Sequence, residues 1–132
     1  MNSTSEASTR LYTKDHAWVV VLETRARVGI SEFAQAELGD IAYVELPRVG
    51  TRVRHGETAC TVDSLKTSSE IYAPVSGTVI EVNSILASDE NCGLVNRDPL
   101  GEGWLFDLEM SDPAELASLL SEKDYLSFVE GD

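Results

Sequence analysis

The stretch DSLKTSSEIYAPVSG, residues 63–77, holds a single lysine between two runs that read as β-strands. Thr61 and Val62 precede it, Ser69, Glu70 and Ile71 follow it, and SLKT between them has the composition of a tight turn. A hairpin built this way throws the Lys66 side chain clear of the body. The flanking runs TACTVDS and TSSEIYA set the pattern for the chain around them. PVSGTVIEVNS puts Pro74 and Gly77 at a turn and then alternates through Val79 and Val82. Upstream, Gly50 and Gly56 bracket Val53, and IAYVELP alternates until Pro47 ends it. WVVVLETRARVGIS begins with a run that reads as buried, Val19 to Leu22, and continues in strand alternation through Ala26, Val28 and Ile30.

Two segments break this β pattern. In SEFAQAELGD, Ser31 can cap a helix, Phe33, Ala36 and Glu37 fall at helical spacing, and Gly39 can supply a left-handed terminus; a short helix near 31–38 is expected. In SDPAELASLLSEKDYLSFVE, Ser111 or Asp112 stands as N-cap, Pro113 takes the first helical position and Glu115 the first turn. Leu116, Leu119, Leu120, Tyr125, Leu126 and Val129 form an apolar stripe, so a C-terminal helical segment is expected over 112–130, packed on the strands. The expected fold is mainly β, a small sandwich or flattened barrel with these two helical additions.

With 132 residues the chain suits one domain and one core. Residues 1–10 are polar and small, and are expected to form a disordered tail ahead of a domain spanning 11–132. Against 10 Lys+Arg stand 23 Asp+Glu, a net charge of −13, which repels nucleic-acid phosphates and anionic lipid. Neither nucleic acid nor membrane is expected as a partner, and no basic-then-apolar leader opens the sequence. The expected compartment is the cytoplasm. Cys60 and Cys92 are too far apart for a metal or redox pair, and His16 and His55 are equally isolated, so no metal site is expected. No nucleophile–base pairing and no phosphate-cradling glycine loop is visible, which argues against a free-standing enzyme.

The acid-Ser-x-Lys tetrapeptide followed by Pro-x-Ser-Gly resembles the lipoylation site of glycine cleavage H proteins. YTKDHAWV is similar to that family's Tyr-Thr-x-x-His-Glu-Trp opening. VGISEFAQAELGDIAYVELPRVG and LVNRDPLGEGWLFDLEMSDPAEL continue the resemblance in order. It implies a lipoyl-domain β-sandwich with a C-terminal helix, and lipoic acid in amide linkage on Lys66, with Asp63, Ser64 and Leu65 forming the turn that a lipoate ligase or lipoyl transferase reads. It implies a carrier, a monomer whose arm swings between enzymes and whose chemistry belongs to the cofactor. A biotin carrier would flank its lysine with methionines, where this chain has Leu65 and Thr67.

The sequence also departs from the family. Ala17 stands where the family glutamate faces an aminomethyl cargo, and a charge-assisted contact worth roughly 1.5–3 kcal/mol is lost with it. Asp15 is the nearest substitute. Cys92 replaces a common proline and reads either as a core filler or as a thiol near the arm; with Ala17 and His16 it completes the set of expected arm-contacting positions. These departures favour an H-like lipoate-binding protein of sulfur-compound oxidation, partnered by a heterodisulfide-reductase-like complex. The alternative is the aminomethyl carrier of the glycine cleavage system, partnered by glycine decarboxylase, aminomethyltransferase and dihydrolipoamide dehydrogenase. A third reading is an H-like scaffold that carries no lipoate.

Overall fold

The computed structural model describes residues 10–131. The expected tail therefore lies outside the described residues, apart from Arg10, which is already in a strand. The strands are β1 (Arg10–Tyr12), β2 (Ala17–Leu22), β3 (Arg25–Ile30), β4 (Ile41–Glu45), β5 (Arg52–Val53), β6 (Thr58–Ser64), β7 (Ser68–Tyr72), β8 (Gly77–Val82), β9 (Phe106–Met110) and β10 (Leu120–Ser121). The helices are α1 (Glu32–Leu38), α2 (Leu94–Arg97) and α3 (Glu122–Gly131). Seven strands form one sheet in the order β10-β1-β2-β3-β9-β8-β5, and β4-β6-β7 form a second. All pairings are antiparallel. The mainly β two-sheet fold is as expected.

The inward faces of both sheets build one core. Val19, Val28, Val62, Val75, Val79, Phe106 and Leu108 are fully buried in it, each such side chain contributing about 1.5–3 kcal/mol. A second, smaller cluster lies on the other face of β1 and β2, where Tyr12, Trp18 and Tyr125 are buried under α3. This explains the dense apolar run in β2: Val19 points to the first core and Trp18 to the second. The run does not stay buried to its end, because Leu22 is 65% exposed at the β2–β3 turn.

Helix α1 forms where the capping residues place it. The Ser31 side chain accepts the Ala34 N–H, and Gly39 ends the helix at φ 80°. Its inward residues are Leu38, buried, and Ala34, half-buried; Phe33, Ala36 and Glu37 are exposed.

The C-terminal segment differs from the expected single helix over 112–130. Asp112 caps a 3-10 helix, Pro113–Ser118, which ends where Leu119 turns extended. Leu120 and Ser121 then pair with Tyr12 and Leu11 as β10, and α3 starts only after them. The ladder with β1 outcompetes helical continuation, and the apolar stripe is divided. Leu116 and Leu119 pack on the main core, while Leu120, Phe128 and Val129 pack on the second cluster. Leu126 is left 51% exposed.

Candidate functional site

The tip of the β6–β7 hairpin is fixed by its own side chains. Ser64 donates its N–H to the Thr67 carbonyl at 2.7 Å, and its hydroxyl donates to the same oxygen at 3.1 Å. The Ser64 Oγ also accepts the N–H groups of Lys66 (3.2 Å) and Thr67 (3.0 Å). One serine thus replaces the carbonyl that would otherwise close the turn. One residue back, the Asp63 carboxylate accepts the Ser68 hydroxyl at 2.6 Å and ties the two strands across the base of the loop. Leu65 projects outward, 77% exposed, yet its N–H donates to the Asp40 carbonyl at 3.0 Å, which ties the tip to the loop after α1.

The exposed Lys66 side chain runs over Gly39: a Cβ there would lie 3.4 Å from Lys66 Cε. The 39–41 loop beneath it is held by Asn96 of α2. That amide donates to the Gly39 carbonyl (2.8 Å) and to Gln35 Oε1 (3.0 Å), and its oxygen accepts the Ile41 N–H (2.9 Å). The lysine is therefore exposed on a braced base, the arrangement an attached arm needs.

Beside this base, between α1 and β7, lies a cavity of about 270 Å³. Asp15, His16, Phe33, Glu37, Ser69 and Ile71 line it. His16 has φ 73°, an uncommon left-handed conformation for a side-chain-bearing residue. Its ring lies 4.7 Å from that of Phe33, and Nδ1 is 2.7 Å from the Tyr125 hydroxyl. Burial raises the Tyr125 pKa, opposed by its hydrogen bond with Ser31, so the phenol stays protonated.

The expected arm-contacting residues separate here. His16 lines the cavity, with Asp15 beside it. Ala17 is buried in β2 opposite Ile30 and is not among the lining residues. Cys92 is fully buried in the main core, its Sγ 3.4 Å from the Leu86 carbonyl. It is the core filler of the two readings, not a thiol near the arm. Glu37, Asn96 and Tyr125 were missed as site residues. For Glu37 the signal was present, since an acidic residue in the last turn of a helix opposes the helix dipole. Among the described residues no group of three or more His, Cys, Asp or Glu side chains is placed to hold a metal ion.

A rigid, serine-closed hairpin presenting one lysine beside a cavity on a two-sheet β fold defines a carrier for a covalently attached arm. The family model for the glycine cleavage H-protein matches residues 10–132. A glycine cleavage system H protein of Thermotoga maritima is 47% identical over 117 residues, covering 89% of this chain and 93% of that protein. One of Xanthobacter autotrophicus is 50% identical over 119 residues, covering 90% and 94%. The crystal structure of a glycine cleavage system H protein from Mycobacterium marinum superposes with a TM-score of 0.81 at 35% identity, covering 94% of this chain and 98% of that one. The chain belongs to the glycine cleavage H-protein family: it is a lipoyl carrier and not itself a catalyst.

Proposed function

We propose that this protein carries an aminomethyl group on a lipoyl arm attached to Lys66, between glycine decarboxylase, aminomethyltransferase and dihydrolipoamide dehydrogenase. This is the alternative of the sequence analysis, and it replaces the sulfur-oxidation reading as the favoured one. The relatives named above all bear the glycine cleavage name. The observation that carries the reading is the placement of Lys66 over Gly39, with the carboxylates Asp15 and Glu37 lining the adjoining cavity. Ala17 does not stand against this reading, because a cationic cargo folded into the cavity meets these two carboxylates instead.

A bound lipoyl group would supply a dithiolane that opens as it takes the cargo on one sulfur, is left as a dithiol when the cargo is passed on, and is then reoxidised. The chain's own residues do the rest. Lys66 anchors the arm and gives up its charge in the amide. Asp63, Ser64 and Leu65 shape the turn that the lipoylating enzyme reads. Asp15 and Glu37 hold an ammonium, and Phe33 and Ile71 keep water from it. The protein acts as a cytoplasmic monomer on this reading, free to visit each partner in turn.

The test is loading. The lipoylated protein is incubated with glycine and a pyridoxal-phosphate glycine decarboxylase, and intact mass follows the arm. Loading is expected for the wild type and none for Lys66→Arg, which cannot be acylated. In the Asp15→Asn, Glu37→Gln double variant, the loaded arm should hydrolyse about two- to fivefold faster, the worth of an exposed ion pair. A lipoylated wild type that never loads returns the arm to sulfur compounds and the heterodisulfide-reductase-like complex. A chain that no lipoate ligase modifies is a scaffold.

A further inference from the structure

The Tyr125 hydroxyl is buried between the two walls of the cavity. It lies 2.7 Å from Nδ1 of His16, on the β1–β2 turn, and 2.8 Å from Oγ of Ser31, the N-cap of α1. Its ring is stacked on Tyr12 at 4.3 Å with 7° between the planes, which fixes where the hydroxyl points. His16 sits in the left-handed region, an uphill conformation that persists only where the surroundings hold it. Its main chain is held by Thr13, whose carbonyl accepts the His16 N–H, and by Ser31, whose N–H donates to the His16 carbonyl. Tyr125 holds its ring. No residue of α3 is among those lining the cavity.

We propose that Tyr125 is a positioning residue for the arm's cavity. Its hydroxyl fixes the imidazole of His16 on one wall and the N-cap of α1 on the other, so that α3 sets the shape of a cavity it does not line. The hydroxyl has one proton, and this makes the arrangement specific. Ser31 Oγ already accepts the Ala34 N–H. If Ser31 donates its proton to the Tyr125 oxygen, Tyr125 donates to His16 Nδ1, and Nε2 carries the imidazole hydrogen. If His16 Nδ1 donates to Tyr125, then Tyr125 donates to Ser31, and Nε2 is an acceptor. Each pattern commits the ring to one tautomer. The other charged groups near His16 are Asp15 and Glu37 along the cavity and Lys14, whose Nζ lies 5.8 Å over the Phe128 ring.

The inference rests on the arm-cavity reading for its functional consequence, but the bond is measurable without cargo. The chain has two histidines, so ¹⁵N-labelled histidine gives two sets of ring signals, and the exposed His55 serves as an internal control. Wild-type His16 is expected to show one dominant tautomer. Tyr125→Phe keeps the ring on Tyr12 and removes only the hydroxyl. His16 should then move to the tautomer mixture of His55, and the loaded arm should be lost about three- to tenfold faster, the worth of one hydrogen bond. Ser31→Thr keeps a hydroxyl and a cap, and should preserve both readouts. Unchanged His16 signals in Tyr125→Phe overturn the proposal, and so does unchanged arm retention once those signals have moved. A wild type that does not load sinks the aminomethyl reading instead, and the His16 signals then decide the positioning on their own.

Discussion

Lys66 and Cys60 show how differently two reactive residues can be placed in one hairpin. Lys66 is exposed at the tip, while Cys60 is 3% exposed in β6, four residues before the turn begins. Burial, with the nearby Glu45 charge adding to it, pushes the Cys60 thiol up to about 12. At neutral pH it is an inert thiol, poorly reactive toward alkylating agents. The raised pKa also makes a statement about stability. Between roughly pH 9 and pH 12 the folded chain holds this proton while the unfolded chain releases it. Stability is thus fully present below pH 9 and falls by about 1.4 kcal/mol per pH unit above it. Buried Tyr12 and Tyr125, both raised by desolvation, add to the same alkaline loss. Urea unfolding across pH 8 to 11 should show a shallower alkaline slope in Cys60→Ala than in the wild type, whatever the offset between the two curves. The place of Lys66 at the tip was legible because its signal is local, a turn between matched strands, while its role was legible only through the family resemblance of DSLK and PVSG. The burial of Cys92 was legible only as one of two readings, because which residues surround a cysteine is decided far from it in the chain.

The elements sort by the same rule. Helix α1 was legible because Ser31 and Gly39 carry its boundaries within a few residues. The break in the C-terminal segment was not, because the competitor, β1, lies more than a hundred residues upstream in the chain. Asn96 escaped notice for a like reason: its partners Gln35, Gly39 and Ile41 are 55 to 61 positions away. Through them α2 braces the loop under the hairpin, and through the Asp40 carbonyl that loop braces Leu65. Asn96→Ala leaves one donor, the Ile41 N–H, and two acceptors, the Gly39 carbonyl and Gln35 Oε1, without their amide. We expect a loss of about 1–3 kcal/mol in urea unfolding. The Leu65 amide should exchange with solvent faster than in the wild type by more than its strand neighbours in β6 do. Equal change across the hairpin would mean that the brace does not act on the tip.

The whole molecule is strongly acidic, and its buried carboxylate Asp107 is compensated. Asp107 is fully buried, and Arg27 meets it with two bonds, at 2.8 and 3.0 Å, with Arg25 adding a contact at 3.3 Å. The net charge of −13 is therefore largely a property of the surface. On the proposed function it steers the carrier to basic faces of its partners, so arm loading by glycine decarboxylase should slow as salt rises from about 0.05 to 0.5 M. A salt-independent rate would show that contacts other than charge bring the partners together. The sequence made this scale legible through composition alone, but the meeting of the chain's two ends was hidden from it. β1 pairs with β10, and His16 waits for Tyr125. A ribosome releases the β6–β7 hairpin and every residue that lines the cavity before α3, so a half-made chain displays its lysine before Tyr125 is there to meet His16. If Tyr125 positions the cavity as proposed, synthesis delivers the arm's anchor first and the residue that steadies its shelter later.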